Sequence, residues 1–301
     1  LQAVAEMIEL AETAGLRAQI SHLKTMNPAN WGKLDIVFAM MEDAVARGVD
    51  IAADRYPYCA AHGGSTNIMP LWCYHEAETR GGKAHLKDPD LIERFRDAVD
   101  RHLAEFGGPD RIVFTSLKTP DPEVDGKTPA DLQKAWNCVM SDVALEVERR
   151  SDAHGGIGAM IFSMNEDNLR RILRHRLVMV GSDAALVTYR SKPTHPRMYG
   201  TFPQVLGRYV RETQTLALPE AVRKMTSFAA QRFGLRDRGR LCAGAVADVV
   251  CFDPSAVADQ SDYLDAHQYP AGIPWVLVNG RVAVSDGETT PECHGRVLRR
   301  E

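Results

Sequence analysis

The chain is 301 residues long, 45% hydrophobic and 25% charged, with a formal net charge of -4. This composition excludes a disordered, collagen-like or disulfide-scaffolded chain, and no apolar run reaches the ~20 residues of a membrane span. The slight acidity argues against a general affinity for nucleic acid or for anionic membrane.

The sequence opens at Leu1 inside a helical pattern, without Met or a leader, and reads as a fragment. Val4, Met7, Ile8 and Ala11 form one helical stripe, which Gly15 closes. A strand is predicted over residues 16–21. After a polar loop, a second stripe carries Ile36, Val37, Met40, Met41, Ala44 and Val45 up to Gly48, and a strand over 49–53 leads to Tyr56-Pro57-Tyr58. Strand, helix and strand with such short joints predict a βαβ unit in a parallel sheet. The same order returns at residues 157–163, at the helix that Asn165 caps, and at 177–180, ending on Gly181-Ser182-Asp183. The intervening stretch is charged and helix-rich, and it reads as an insertion with one strand at 112–116. Beyond Asp183 come a polar loop, a helix near 203–213 and another with Pro219 in its first turn and Gly234 past its end. The last sixty residues are β-rich, and Asn279-Gly280 between apolar runs predicts a hairpin.

Six cysteines, Cys59, Cys73, Cys138, Cys242, Cys251 and Cys293, form no CxxC pair. They suggest neither a zinc ribbon nor a disulfide framework and read as reduced thiols of a cytoplasmic protein. His62-Gly63-Gly64-Ser65 resembles an esterase oxyanion loop, yet no GxSxG elbow is present to partner it. Polar groups instead stand where predicted strands end, at His22, at Asp54-Arg55-Tyr56 and at Asp183. In an α/β barrel, catalytic groups occupy those positions. Each has a plainer reading, since a strand-end histidine can orient its loop and an aspartate after Gly-Ser can cap one.

Ser21-His22-Leu23-Lys24, Asp54-Arg55-Tyr56-Pro57-Tyr58, Gly181-Ser182-Asp183 and the run from His195-Pro196-Arg197 through Tyr199-Gly200-Thr201-Phe202 occur in the order found in D-aminoacylases. Lys224-Met225-Thr226, Phe233-Gly234-Leu235, Ala247-Asp248-Val249-Val250 and Val278-Asn279-Gly280 agree with the same pattern. In these motifs the chain resembles the N-acyl-D-amino-acid deacylases of the amidohydrolase superfamily. The resemblance implies an α/β fold, a partial metal-dependent (β/α)8 (TIM) barrel. The chain would supply strands five to eight and the C-terminal share of a small β-sandwich, and the N-terminal half of the barrel would be missing. The implied segments are 1–65 for strands five and six, 66–156 for a helical insertion over the active site, 157–240 for strands seven and eight, and 241–301 for the sandwich share.

By the same resemblance, His22 is a zinc ligand. Asp183 is both a metal ligand and the catalytic carboxylate that takes a proton from metal-bound water and returns it to the leaving amine. Arg197 holds the substrate carboxylate, with His195, Tyr56 and Tyr199 beside it. The cofactor would be one or two Zn2+ ions, other divalent metals being alternatives, and the substrate a small N-acyl-D-amino acid cleaved to a carboxylate and a free amine. Two departures stand out. Where zinc-dependent members place a sixth-strand histidine, this chain has Tyr56, with His62 six residues on, so that either His62 substitutes as ligand or the metal site is altered. In the loop over residues 118–127, Asp121, Pro122 and Asp125 stand where tyrosine and serine bind the carboxylate. Two further readings are a dihydropyrimidinase-like hydrolase of cyclic amides or imides, and an incomplete barrel without activity.

Overall fold

The computed structural model describes residues 1–64, 68–79, 87–185 and 194–298. Helix α1 (Gln2–Ala14) ends at Gly15, whose left-handed φ of 63° ends the helix. Strand β1 (Ala18–Ile20), helix α2 (Leu34–Ala46) and strand β2 (Ile51–Arg55) follow. The two helical stripes bury as the periodicity predicts. Ile8 and Ala11 of α1 and Ala44 of α2 close over Ala18 and Ile51 of the strands. Leu34, Val37 and Met41 of α2 cover Ala53.

The chain then leaves the parallel sheet. Strand β3 (Ala61–Gly64), helices α3 (Leu71–Thr79) and α4 (Pro89–Glu105), strand β4 (Ile112–Ser116), helices α5 (Pro129–Trp136) and α6 (Met140–Ala153) and strand β5 (Ile157–Ile161) form a unit of their own. Its sheet runs β3-β5-β4, antiparallel throughout, with Gly63 and Phe114 both opposite Ala159. Phe95, Val99 and Leu103 of α4 pack with Ile112 and Phe114 of β4, Val143 and Val147 of α6, and Ile157, Ala159 and Ile161 of β5 in one cluster. Two capping devices fix its helices. Asp88 accepts backbone N–H bonds at the start of α4, and Thr128 with Asp131 makes a reciprocal capping box on α5.

Helix α7 (Glu166–Arg174) is capped by Asn165, whose side chain accepts from the Asn168 N–H, and strand β6 (Val178–Val180) returns the chain to the first sheet. That sheet has the order β1-β2-β6 and is parallel, with Ile20 opposite Ala53 and Arg55 opposite Val180. Helix α8 (Arg197–Gln204) runs directly into a π-helical segment, Val205–Glu212. Helices α9 (Leu218–Met225) and α10 (Ser227–Phe233) come next, the second ending at left-handed Gly234. Strands β7 (Val249–Cys251), β8 (Trp275–Val278), β9 (Arg281–Ser285) and β10 (Glu288–Thr289) form an antiparallel sheet in the order β10-β9-β8-β7. The predicted Asn279-Gly280 turn joins β8 to β9, with φ of 51° and 78°, as a two-residue hairpin with both central residues left-handed requires.

The α/β character agrees with the sequence reading, and one strand assignment is corrected. The segment expected as barrel strand seven is β5, the middle strand of the antiparallel sheet, because its ladder bonds go to β3 and β4. Among the described residues the parallel arc therefore has three strands and no closed barrel. No described helix is long and apolar enough to cross a membrane.

Candidate functional site

The ends of β1, β2 and β6 lie side by side, and each delivers polar residues to one mouth. His22, just past β1, has a φ of 44°, and Asp183, past β6, has a φ of 49°. Non-glycine residues take this left-handed conformation at a cost of order 1 kcal/mol or more, so two at the ends of the strands on either side of β2 mark a constrained site. Asp54 of β2 ties the ends together. One of its oxygens accepts the His22 backbone N–H at 2.8 Å and the other accepts Gln19 Nε2 at 2.8 Å. Gly181, where a Cβ would stand 3.2 Å from Asp54 Oδ1, lets β6 pass close by.

His22 Nδ1 lies 2.7 Å from Lys24 Nζ. Burial lowers the imidazole pKa, Lys24 reinforces the shift, and the Asp183 carboxylate opposes it, so His22 and Asp183 share one electrostatic environment. Burial, reinforced by Arg55 and Arg197, pushes the Lys24 ammonium down to about 7. Asp183 Oδ2 accepts Arg197 NH1 at 2.6 Å, with the guanidinium side chain 7% exposed and the carboxylate 38%. Arg197 begins α8, and its backbone N–H donates to His195 Nδ1 at 3.0 Å.

His195 is completely buried, and its Nε2 lies 3.1 Å from the Ala60 carbonyl. Because Nδ1 accepts and the carbonyl needs a donor, the ring is the neutral Nε2–H tautomer. Burial holds its pKa well below the ordinary histidine value, and Arg197 adds to the shift. Tyr58 and Tyr263 each meet the ring edge-on at 5.3 Å. With both nitrogens engaged inside the protein, His195 positions Arg197. The sequence reading placed it at the substrate; here both ring nitrogens are spent on the Ala60 carbonyl and the Arg197 N–H.

Other expected site residues fall elsewhere. His62 sits on β3 of the antiparallel sheet, with Nε2 2.9 Å from Thr115 Oγ1, and it makes no third ligand with His22 and Asp183. Tyr199 turns its hydroxyl to His267 Nδ1 at 2.9 Å and its ring to Tyr269, at the joint with the C-terminal segment. Asp121 pairs with Arg150 at 3.1 Å and Asp125 accepts the Ser116 hydroxyl at 3.0 Å, so both shape their own loop.

Tyr56 does reach the mouth, in an arrangement not expected from its position. Its ring is 1% exposed, lies under three cationic groups, Arg55 at 4.0 Å, Arg197 at 4.9 Å and Lys24 at 5.7 Å, and its hydroxyl has no hydrogen-bond partner. Arg55 belongs to the strand-end cluster named from the sequence, but nothing there singled it out as the residue turned inward. The signal available was an arginine between an aspartate and a tyrosine at the close of an apolar strand.

The metal implied by the resemblance can be tested against these groups. Among the described residues, no three His, Cys, Asp or Glu side chains converge. Catalytic zinc takes three protein ligands. His22 and Asp183 would supply two donors, and the described residues alone do not complete the set.

The amidohydrolase family model matches residues 84–284. An N-acyl-D-glutamate deacylase of Alcaligenes xylosoxydans xylosoxydans is 37% identical over 301 residues, which is 99% of this chain and 51% of that protein. The crystal structure of an N-acyl-D-glutamate deacylase from Bordetella bronchiseptica, complexed with zinc and a phosphonate mimic of the tetrahedral intermediate, superposes with a TM-score of 0.72. The two are 33% identical, across 96% of this chain and 52% of that one. A crystal structure of D-aminoacylase, described as defining a novel subset of amidohydrolases, gives a TM-score of 0.76 at 31% identity, across 99% and 53%. The chain thus spans about half the length of the relatives it matches, and it belongs to the amidohydrolase family.

Proposed function

We propose that the protein containing this chain hydrolyses the amide of an N-acyl-D-amino acid, releasing a carboxylate and a free D-amino acid. The observation that carries the reading is the placement of His22 and Asp183 at the ends of strands flanking β2, both left-handed, with Asp183 held by a buried arginine. Activity against a family of acylated D-amino acids also accords with the names of the relatives.

In this reading Asp183 is the proton carrier. Its carboxylate takes a proton as water attacks the acyl carbon, and the same proton passes to the nitrogen as the C–N bond breaks. Arg197 keeps the carboxylate aimed, and His195 keeps Arg197 in place. Zinc, one ion or two, belongs to the reading through the relatives, with His22 Nε2 and Asp183 as this chain's contribution and the remaining ligands from outside the described residues. When bound it supplies Lewis-acid polarisation of the carbonyl.

The test is hydrolysis by the intact protein of N-acetyl-D- and N-acetyl-L-amino acids, before and after chelation. Release of the D-amino acid that stops with chelator and returns with zinc supports the reading. Activity that survives chelation, or that appears only on cyclic imides, overturns it.

A further inference from the structure

Strand β1 shows its residues alternately to the two faces of the parallel sheet. Ala18 and Ile20 pack with α1 and α2, so Gln19 between them turns to the opposite face. Ala52 stands across from it on β2, and Asp54, two residues further along, shares that face. Packing alone would be served by an apolar residue here. Gln19 is instead engaged at both ends of its amide, with Nε2 donating to Asp54 Oδ2 at 2.8 Å and Oε1 accepting Arg232 Nε at 3.1 Å. A guanidinium only donates and a carboxylate only accepts, so both neighbours demand the same orientation of the amide.

Arg232 comes from α10, and its side chain is 7% exposed. The carbonyls of Ala18 and Asp50 and the Asp50 carboxylate hold it where β1 and β2 begin. From there a continuous polar line runs up the sheet, from Arg232 to Gln19 to Asp54, and ends at the mouth. Asp54 grips the turn after β1 twice. Its Oδ1 accepts the His22 N–H at 2.8 Å, and its backbone carbonyl accepts the Leu23 N–H at 2.8 Å. These bonds bracket His22, whose φ of 44° is a conformation that persists only where the surroundings over-determine it.

We propose that Gln19 and Arg232 are positioning residues for His22, acting through Asp54 to hold the strand-end turn that sets where the imidazole stands. Neither touches a reacting atom. Arg232 fixes which end of the Gln19 amide meets Asp54, and the Gln19 donor leaves the carboxylate one orientation, the one that accepts the His22 N–H. Without that donor the carboxylate can swing away and the turn loses a restraint. For turnover, the proposal rests on the deacylase reading, in which His22 has a part.

The experiment measures hydrogen exchange of the His22 N–H at single-residue resolution on the intact, chelator-treated protein. The Ala53 N–H, which donates to the Leu177 carbonyl at 2.9 Å, is the internal reference. Gln19→Glu keeps the length and the reach to Arg232 but turns a second carboxylate on Asp54. Gln19→Leu removes both contacts, and Arg232→Lys keeps a cation for Asp50 without the fork that reaches Gln19. Arg17→Met is the control, because Arg17 bonds the Asp50 carboxylate at 2.7 Å and the Arg232 carbonyl at 2.8 Å and lies outside the line. KM and kcat are read separately on the metal-loaded protein.

Gln19→Glu and Gln19→Leu are expected to speed exchange at His22 by about 10-fold or more while Ala53 is unmoved. Arg232→Lys should shift His22 in the same direction by less, and Arg17→Met should shift neither amide. In Gln19→Glu, kcat should fall about 10-fold with KM within about threefold of wild type. Wild-type exchange at His22 in folded Gln19→Glu overturns the proposal. So does equal acceleration at His22 and Ala53, or an Arg17→Met effect as large as that of Gln19→Glu, since either shows general loosening of the sheet. Should Gln19→Leu fail to fold, Gln19→Glu and Arg232→Lys carry the comparison. Absence of hydrolysis by the wild-type protein defeats the deacylase reading alone, because the exchange measurement needs no turnover.

Discussion

Arg197 and Asp183 form the tightest ion pair at the mouth, with NH1 2.6 Å from Oδ2 and the guanidinium almost fully buried. The arginine is held from behind by His195, so the pair acts as a fixed bracket on a carboxylate that is itself open to water. Replacing Arg197 with Met removes the bracket and leaves Asp183 free to turn into solvent. The expected effect is a fall in kcat of about 10- to 100-fold, the equivalent of one charge-assisted hydrogen bond. Steady-state kinetics on folded Arg197→Met protein checks it, and an unchanged kcat would show that the pair has no part in turnover.

His195 predicts a pH dependence of stability. Its pKa is held below 6.5 in the folded chain by burial and by Arg197. The unfolded chain therefore binds the proton first as the medium is acidified, and the sign of the linkage follows. The contribution of this residue to stability is complete above about pH 6.5 and is lost progressively as the pH falls towards the depressed folded value. Denaturant titrations between pH 7 and 5 should show the loss, and His195→Gln should flatten the slope while lowering stability overall.

Gly200 separates crowding from backbone strain. A Cβ there would collide with the Asp259 carboxylate, which is pinned by Tyr58 at 2.5 Å and by the Ser261 N–H at 2.8 Å. Gly200→Ala should cost about 2–3 kcal/mol through overpacking. Gly234→Ala meets nothing within 4 Å but holds a φ of 76°, and should cost about 1 kcal/mol. Gly32→Ala, with open space and no positive φ, should be close to neutral. Chemical denaturation of the three variants ranks them, and a Gly200→Ala protein as stable as Gly32→Ala would contradict the packing.

Much of the fold was legible because local signals dominated it. The stripes of α1 and α2, the glycine stop at Gly15 and the Asn279-Gly280 turn are set by residues a few positions apart, and each is where the sequence places it. The misassigned strand is β5. All five of its residues are buried, and a continuous apolar run reads the same in a parallel barrel as in the middle of an antiparallel sheet. Its partners, β3 and β4, are chosen by contacts that no local pattern records.

At the site, the strand ends gave away His22 and Asp183, but they did not reveal which residue of Asp54-Arg55-Tyr56 meets which neighbour. Asp54 and Arg55 belong to β2, where successive residues face opposite ways, and a strand read as ending at residue 53 left their facing unassigned. The strand was expected at 49–53 and runs from Ile51 to Arg55. The partners of His195 were illegible for a different reason. A histidine beside a binding arginine suggests a ligand contact, and only the Ala60 carbonyl and the Arg197 N–H show that both its nitrogens are spent.

The cysteines provide a check on the whole arrangement. Burial, with Glu166 beside it, pushes the Cys59 thiol up to about 12, and burial pushes Cys73 up to about 11, whereas Cys242, Cys251 and Cys293 are exposed. The thiolate is the reactive form. At pH 8, alkylation should therefore label the three exposed thiols first and reach Cys59 and Cys73 only on unfolding, as peptide mass mapping would show. Early labelling of Cys59 would contradict its place beside β2.

The decisive quantity is kcat for N-acetyl-D-amino-acid hydrolysis by the intact protein after Asp183→Asn, which keeps the shape of the side chain and removes its capacity to carry the proton. A folded variant with kcat reduced by about 100- to 10,000-fold is the predicted result. A folded Asp183→Asn protein that turns over at the wild-type rate would contradict the account.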